Sequence, residues 1–256
     1  VIAENTSLQW LPGLVLAVIC LLTGIAIRFT HEPAQQASHQ SPIEDANKLK
    51  GIFQSTKEAL VHVLKDIWQV AKSRMGYLGL LICFLPIGSG GAVVLFPLYA
   101  NEWGGDANDV AITSGVMGGV LSALGCVVGG YFCDRMDRKI AYCLFGLLMS
   151  ASAMFMALAP HNLTMYYVFV LAYALITGMG YAAFTAVTLE AIGRGAVATK
   201  YSIFASLSNT PIAYMGLLNT HFYQEYGSNS GLYCEAAMGV IGILIFLWFN
   251  RRHASV

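Results

Sequence analysis

Two carboxylates stand inside long apolar runs: Glu190 and Glu235. An ionisable group in a bilayer is costly and usually functional. Glu190 comes one helical turn before Arg194, and Lys200 opens the following run, so Glu190 reads as half of a gate pair with either base. A proton-coupling carboxylate and a plain exposed ion pair are its alternatives. Glu235 comes about a turn into the last run and reads as an interfacial residue reaching toward headgroups. The other candidates are neutral. Tyr173, Thr177, Tyr181 and Thr185 recur every four residues and form one drifting polar stripe. Ser202, Ser206 and Asn209 share a face of the next run, beside Thr210 and the helix-weakening Pro211. Ser89 belongs to Pro86-Ile87-Gly88-Ser89-Gly90-Gly91, which interrupts another run near its middle. Backbone groups freed there would line a binding site or form a hinge. The competing reading of all these residues is packing and hydrogen bonding between helices.

No catalytic constellation accompanies them. The histidines lie in loops or at the ends of apolar runs, with no HExxH, no GxSxG and no phosphate-binding glycine loop. The six cysteines form no CxxC pair, which argues against a metal knuckle or a disulfide framework. An enzyme, a cofactor and a metal are therefore not expected.

The elements that must position these residues are membrane spans. The chain is 57% hydrophobic and 11% charged, with a mean hydropathy of +0.62. A bilayer crossing takes about 20 apolar residues, and seven runs suffice: 9–29, 75–100, 108–133, 140–159, 164–189, 200–222 and 231–249. The predicted fold is an all-α polytopic membrane protein with seven transmembrane helices. All fourteen Lys and Arg residues fall after odd-numbered spans, while the opposite loops carry Glu4, Glu102, Asp106, Asp109 and Glu225. Basic loops stay cytoplasmic, which predicts an outer amino end and a cytoplasmic carboxyl end. The net charge is zero and the bases are partitioned by loop, so nucleic acid is not an expected partner.

Four segments follow from this topology. Residues 1–29 hold an outer loop and the first span. Residues 30–74 form a cytoplasmic linker with an amphipathic helix over about 45–72, where Leu49, Phe53, Leu60, Leu64 and Ile67 alternate with Lys50, Lys57, Lys65 and Lys72. Residues 75–250 form a six-helix bundle and 251–256 a cytoplasmic tail. Trp10 and Trp103 are expected to anchor the outer surface and Trp248 the inner one. Spans one, four and seven are almost purely apolar and should face lipid; two, three, five and six are more polar and should line a cavity. Gly115 with Gly119, and Gly125 with Gly129, should let span three approach a neighbouring backbone. This period of three helices points to repeat-built transporters.

The turn after span three reads Gly130-Tyr131-Phe132-Cys133-Asp134-Arg135-Met136-Asp137-Arg138-Lys139. It resembles the cytoplasmic loop signature of the major facilitator superfamily, with Asp137 where that family usually has glycine. On this resemblance the chain is similar to helix six, the central loop and the carboxyl-terminal bundle, helices seven to twelve, of such a transporter. A shorter run, Ala198 to Ser206, resembles the start of helix eleven in the muropeptide permease and acetyl-CoA transporter group. The resemblance implies secondary-active transport of a small solute by alternating access in a bacterial inner membrane. It implies a cytoplasmic latch of Asp134 with Arg135, Arg138 and Lys139, in the motif that Gly130 opens. The alternative is that the three bases are only topology signals. Glu190 and Arg194, read from their spacing, belong to the same gate. Asp134 would be stabilised by the amino end of a following helix. The cavity candidates are Ser89, Tyr173, Thr177, Tyr181, Thr185, Ser202, Ser206 and Asn209. The implied partners are a small-molecule substrate with proton coupling as an option, membrane lipid, and an amino-terminal half in the same or another chain. A seven-helix receptor or a half-transporter that does not transport is the alternative. A retinal pigment is disfavoured because the last span holds no lysine.

Overall fold

The structure, a computed structural model, describes residues 11–27, 68, 72–193 and 197–252. Most of the expected amphipathic helix, together with Trp10 and Arg194, lies outside the described residues. Two of its members are described, and there the Lys72 ammonium sits 5.4 Å from the centre of the Trp68 ring. The chain divides into two units, residues 1–57 and 58–256. The first contains α1 (Leu11–Ile27), where Thr23 returns its hydroxyl to the carbonyls of Ile19 and Cys20, so the polar group is satisfied within its own helix.

Among its described residues the second unit consists of helices joined by turns and short irregular segments. It runs α2 (Arg74–Ile82), a 3-10 turn (Gly91–Leu95), α3 (Phe96–Glu102), α4 (Ala107–Cys133), α5 (Arg138–Leu158), α6 (Leu163–Ile192), α7 (Val197–Leu207), α8 (Asn209–Tyr226) and α9 (Ser228–Arg252). Four of these, α4, α5, α6 and α9, are single helices long and apolar enough to cross a bilayer. The second and sixth predicted spans are each divided between two helices.

The first division is the Pro/Gly run. α2 ends at Ile82, Pro86 offers no amide proton, and Gly88 and Gly90 adopt φ of 58° and 72°. Those left-handed conformations suit glycine, and the chain resumes as the 3-10 turn and α3. The second division follows from Pro211. Its missing N–H leaves the Leu207 carbonyl without its helical donor, and α7 stops at Leu207 before α8 begins at Asn209.

α4 and α6 pack at backbone contact. A Cβ on Gly125 would strike the Leu175 carbonyl oxygen, one on Gly178 the Ser122 carbonyl oxygen, and one on Gly129 would come within 2.7 Å of the Met179 Cα. The glycine spacing thus marks a close helix contact, but only along the second half of α4, because Gly115 and Gly119 face open space. The first half of α4 is also irregular, widening into π-helical turns over Ala111–Met117.

Burial within this chain does not follow the expected division into lipid-facing and cavity-lining spans. α5, read as peripheral, is the most buried of the four, with 61% of its apolar window inside the protein, while α4, read as lining, has 17%. Mean apolarity does not report a packing face. Ala141, Gly146, Ser150, Ala153 and Ala157 are small enough to bring other helices onto α5, whereas Val116, Val120, Leu124 and Val127 of α4 are exposed. Trp103 also departs from expectation. It is buried and stacks on His161 with centroids 4.9 Å apart, so it closes the end of the bundle instead of projecting as an anchor. Trp248 is exposed, as an anchor should be.

These contacts set a prediction. Gly178→Ala should lower the stability of the detergent-solubilised protein by about 1–3 kcal/mol through overpacking. Gly119→Ala, with no neighbour to meet, should leave it unchanged or slightly raised. Thermal unfolding of the two variants measures the difference.

Candidate functional site

The broken helix exposes carbonyls that other helices satisfy. Tyr142 of α5 donates to the Ile87 carbonyl at 3.1 Å, and Tyr214 of α8 donates to the Phe84 carbonyl at 2.9 Å. The interruption is therefore held from two sides. Against it lies a cavity of about 220 Å³ whose walls include Ser89, Tyr142, Thr177, Tyr181, Thr185, Tyr201 and Asn209. Thr185 and Tyr201 join their hydroxyls across it at 3.2 Å. No charged residue is among those lining this cavity. Hydroxyls, an amide and aromatic rings are the groups this wall presents.

Five of the eight expected cavity residues line this space: Ser89, Thr177, Tyr181, Thr185 and Asn209. Tyr173 lies instead on a second cavity of about 200 Å³ between the 3-10 turn, α4 and α6, which Thr177 also borders. Ser202 and Ser206 are exposed and return their hydroxyls to the carbonyls of Ala198 and Ser202 in their own helix. The four-residue stripe on α6 drifts enough to divide its members between two cavities, as a 3.6-residue turn requires.

Glu235 is the site residue whose position the sequence reading misplaced. It is 3% exposed and points into the bundle, not toward headgroups. Its Oε1 accepts from the Ser89 hydroxyl at 2.9 Å and the Tyr173 hydroxyl at 3.1 Å, and its Oε2 accepts from the Asn219 amide at 2.5 Å. Three donors from three segments converge on one carboxyl, and no described Lys, Arg or His pairs with it. The signal in the sequence was a symmetry. Asn219 and Glu235 stand eight residues either side of Gly227, the turn of the α8–α9 hairpin, so antiparallel helices bring them to one depth. The hairpin is close as well, since a Cβ on Gly231 would come within 2.8 Å of the Asn219 carbonyl oxygen.

At the basic end, the turn between α4 and α5 has a different division of labour from the one expected. Asp137, not Asp134, caps the following helix: its carboxylate accepts from the amides of Lys139 at 2.9 Å and Ile140 at 3.2 Å. Asp137 has φ of −57°, a conformation any residue adopts, so the turn needs no glycine there. Asp134 is exposed and closes α4 through its backbone N–H. The Arg135 guanidinium lies 3.5 Å from the centre of the Tyr131 ring. Arg138 pairs with Glu190 at 3.5 Å, linking the start of α5 to the end of α6. Glu190 thus finds its described partner in the turn motif. Lys200 is buried and donates to the Ile192 carbonyl at 3.5 Å. Gly130 has open space where a Cβ would stand, and Lys139 follows the cap.

A sequence profile described as the Major Facilitator Superfamily matches residues 1–216. Two curated relatives, the anhydromuropeptide permeases of Escherichia coli (strain K12) and Escherichia coli O157:H7, are each 24% identical over 195 residues. The match covers 75% of this chain but 39% of each relative, so the chain spans well under half the length of the proteins it matches.

The capping geometry makes the family difference testable. Asp137→Ala should cost about 1 kcal/mol, while Asp137→Gly, the residue more usual in the resembling motif, should cost only a few tenths. No loss in Asp137→Ala, measured by thermal unfolding in detergent, would show that the cap contributes nothing.

Proposed function

Because the chain belongs to the Major Facilitator Superfamily, we propose that this integral membrane protein forms part of a secondary transporter that moves a small solute by alternating access. The observation that carries this reading is the cavity against the interrupted helix. Irregular backbone at membrane depth persists where it is buried in protein or lines a cavity, and here both hold: tyrosines secure its carbonyls, and neutral hydroxyls, an amide and rings surround the space beside it.

The substrate class that suits this wall is a sugar-containing peptide, such as an anhydromuropeptide. Tyr142, Tyr181 and Tyr201 offer ring faces for the apolar face of a sugar, and Thr177, Thr185 and Asn209 offer hydrogen-bonding groups for its hydroxyls and amides. The curated relatives are named for such a ligand. The described cavity is smaller than most sites for ligands of this size, which run to about 300–1,000 Å³. An amino-terminal half, in the same or another chain, supplies the facing wall.

The basic end is cytoplasmic in this reading, in an inner membrane. Asp134, Arg135, Arg138 and Lys139 close the cytoplasmic side while the cavity opens outward, with the Arg138–Glu190 pair tying the turn to α6. Being exposed, that pair contributes at most about 1 kcal/mol, which suits a contact that forms and breaks in each cycle. We take proton coupling, the option the family resemblance offers, as part of this reading.

In the full-length transporter, Tyr181→Ala should weaken anhydromuropeptide binding about tenfold or more by removing a ring from the cavity rim, measured by isothermal titration in detergent; wild-type affinity would make the stripe a packing feature. Asp134→Asn should cut uptake into membrane vesicles with insertion intact. Normal uptake would remove Asp134 from the latch.

A further inference from the structure

We propose that Glu235 is a proton-binding site that loads and unloads during the transport cycle, deepening the proton-coupled reading above and resting on it. The argument starts from its partners. Ser89, Tyr173 and Asn219 each donate to the carboxyl, and none carries a fixed charge. A lysine or arginine at this position would hold the carboxylate ionised. Hydroxyls and an amide do not, because each is both donor and acceptor. Around the anion they point their hydrogens inward. Around the acid, which has one O–H to donate, a hydroxyl turns its lone pair inward instead.

Asn219 supplies a second acceptor. Its Oδ1 is fully buried and has no hydrogen-bond partner, an unusual condition for a buried polar atom. Turning the amide over would offer that oxygen to a protonated Glu235. The site is therefore furnished for both states, and the exchange needs only a proton from water or hydronium. The titratable side chains that sense the Glu235 charge are Tyr173 of α6, Tyr214 of α8 and its neighbour Cys234 on α9. All are neutral when protonated.

The site also touches the substrate cavity. Ser89 donates to Glu235, accepts from the Gly91 amide at 3.3 Å and lines the cavity wall. Tyr173 lies one turn before Thr177 on α6, whose hydroxyl donates to the Tyr173 carbonyl at 2.8 Å and which borders both cavities. Taking up a proton re-aims Ser89 at the break in the helix, where Gly88 and Gly90 give the chain freedom to follow.

The test follows the proton itself, with no substrate present. Infrared difference spectra of the full-length protein in liposomes, recorded across a pH step, should contain a carbonyl band from a carboxylic acid shielded from bulk water. The band should be lost in Glu235→Gln and retained in Glu225→Gln. Should Glu235→Gln fail to fold, wild type carrying carboxyl-labelled glutamate takes its place: the band must shift with the label and change position in Tyr173→Phe, which retains the acid but removes one partner. A band indifferent to Glu235→Gln, to the label or to Tyr173→Phe overturns the proposal, as does its absence from wild type. Because the readout requires no transport, the transport reading and the proton site can fail separately.

Discussion

An acidic side chain in a membrane interior must be surrounded by donors, and Glu235 imposes that requirement on four parts of the chain at once. The effective desolvation penalty of a buried carboxylate still amounts to several kcal/mol after relaxation. Hydrogen bonds from Ser89, Tyr173 and Asn219 offset it. Meeting those distances fixes where the break in the second span sits against α6, and at what depth α8 folds back on α9. The cavity is bounded by three of these parts, the break, α6 and α8, together with α5 and α7. Its shape and the satisfaction of Glu235 are one packing solution.

The break supports this arrangement from the other side. A continuous helix would have consumed the carbonyls of Phe84 and Ile87 internally, but Pro86 and the glycines after it free them, and Tyr214 and Tyr142 take them up. Those two tyrosines come from α8 and α5, which face the interruption from different sides. The close backbone contact of α4 and α6 then leaves α6 little room to rotate away from its cavity-facing orientation.

Much of this was legible in the residues. Proline beside glycine announced the interruption, Pro211 announced the division of the sixth span, and the Gly125–Gly129 spacing announced a backbone contact. The Asp-Arg turn motif announced the family that the match over residues 1–216 bears out. What escaped depends on partners distant in sequence. Glu235 looked interfacial because depth was judged along its own helix, whereas its environment is set by Ser89, 146 positions away. Trp103 looked like an anchor until His161 stacked on it. Burial departs from the expected order of lipid-facing and cavity-lining spans because apolarity measures what a helix tolerates, while small residues on α5 decide what packs against it. Asp137, and not Asp134, meets the amino end of the following helix because a cap stands immediately before the first helical residue, and α5 begins at Arg138.

The account stands on the convergence at Glu235, and a double-mutant cycle probes it directly. Unfolding of the detergent-solubilised protein would be compared for wild type, Asn219→Ala, Glu235→Gln and the pair. If the carboxyl and the amide form one buried unit joining α8 to α9, the two losses should be strongly non-additive, with a coupling of about 1–3 kcal/mol. Losses that add to within about 0.5 kcal/mol would mean the two groups act independently. The carboxyl would then not be what holds these helices at one depth.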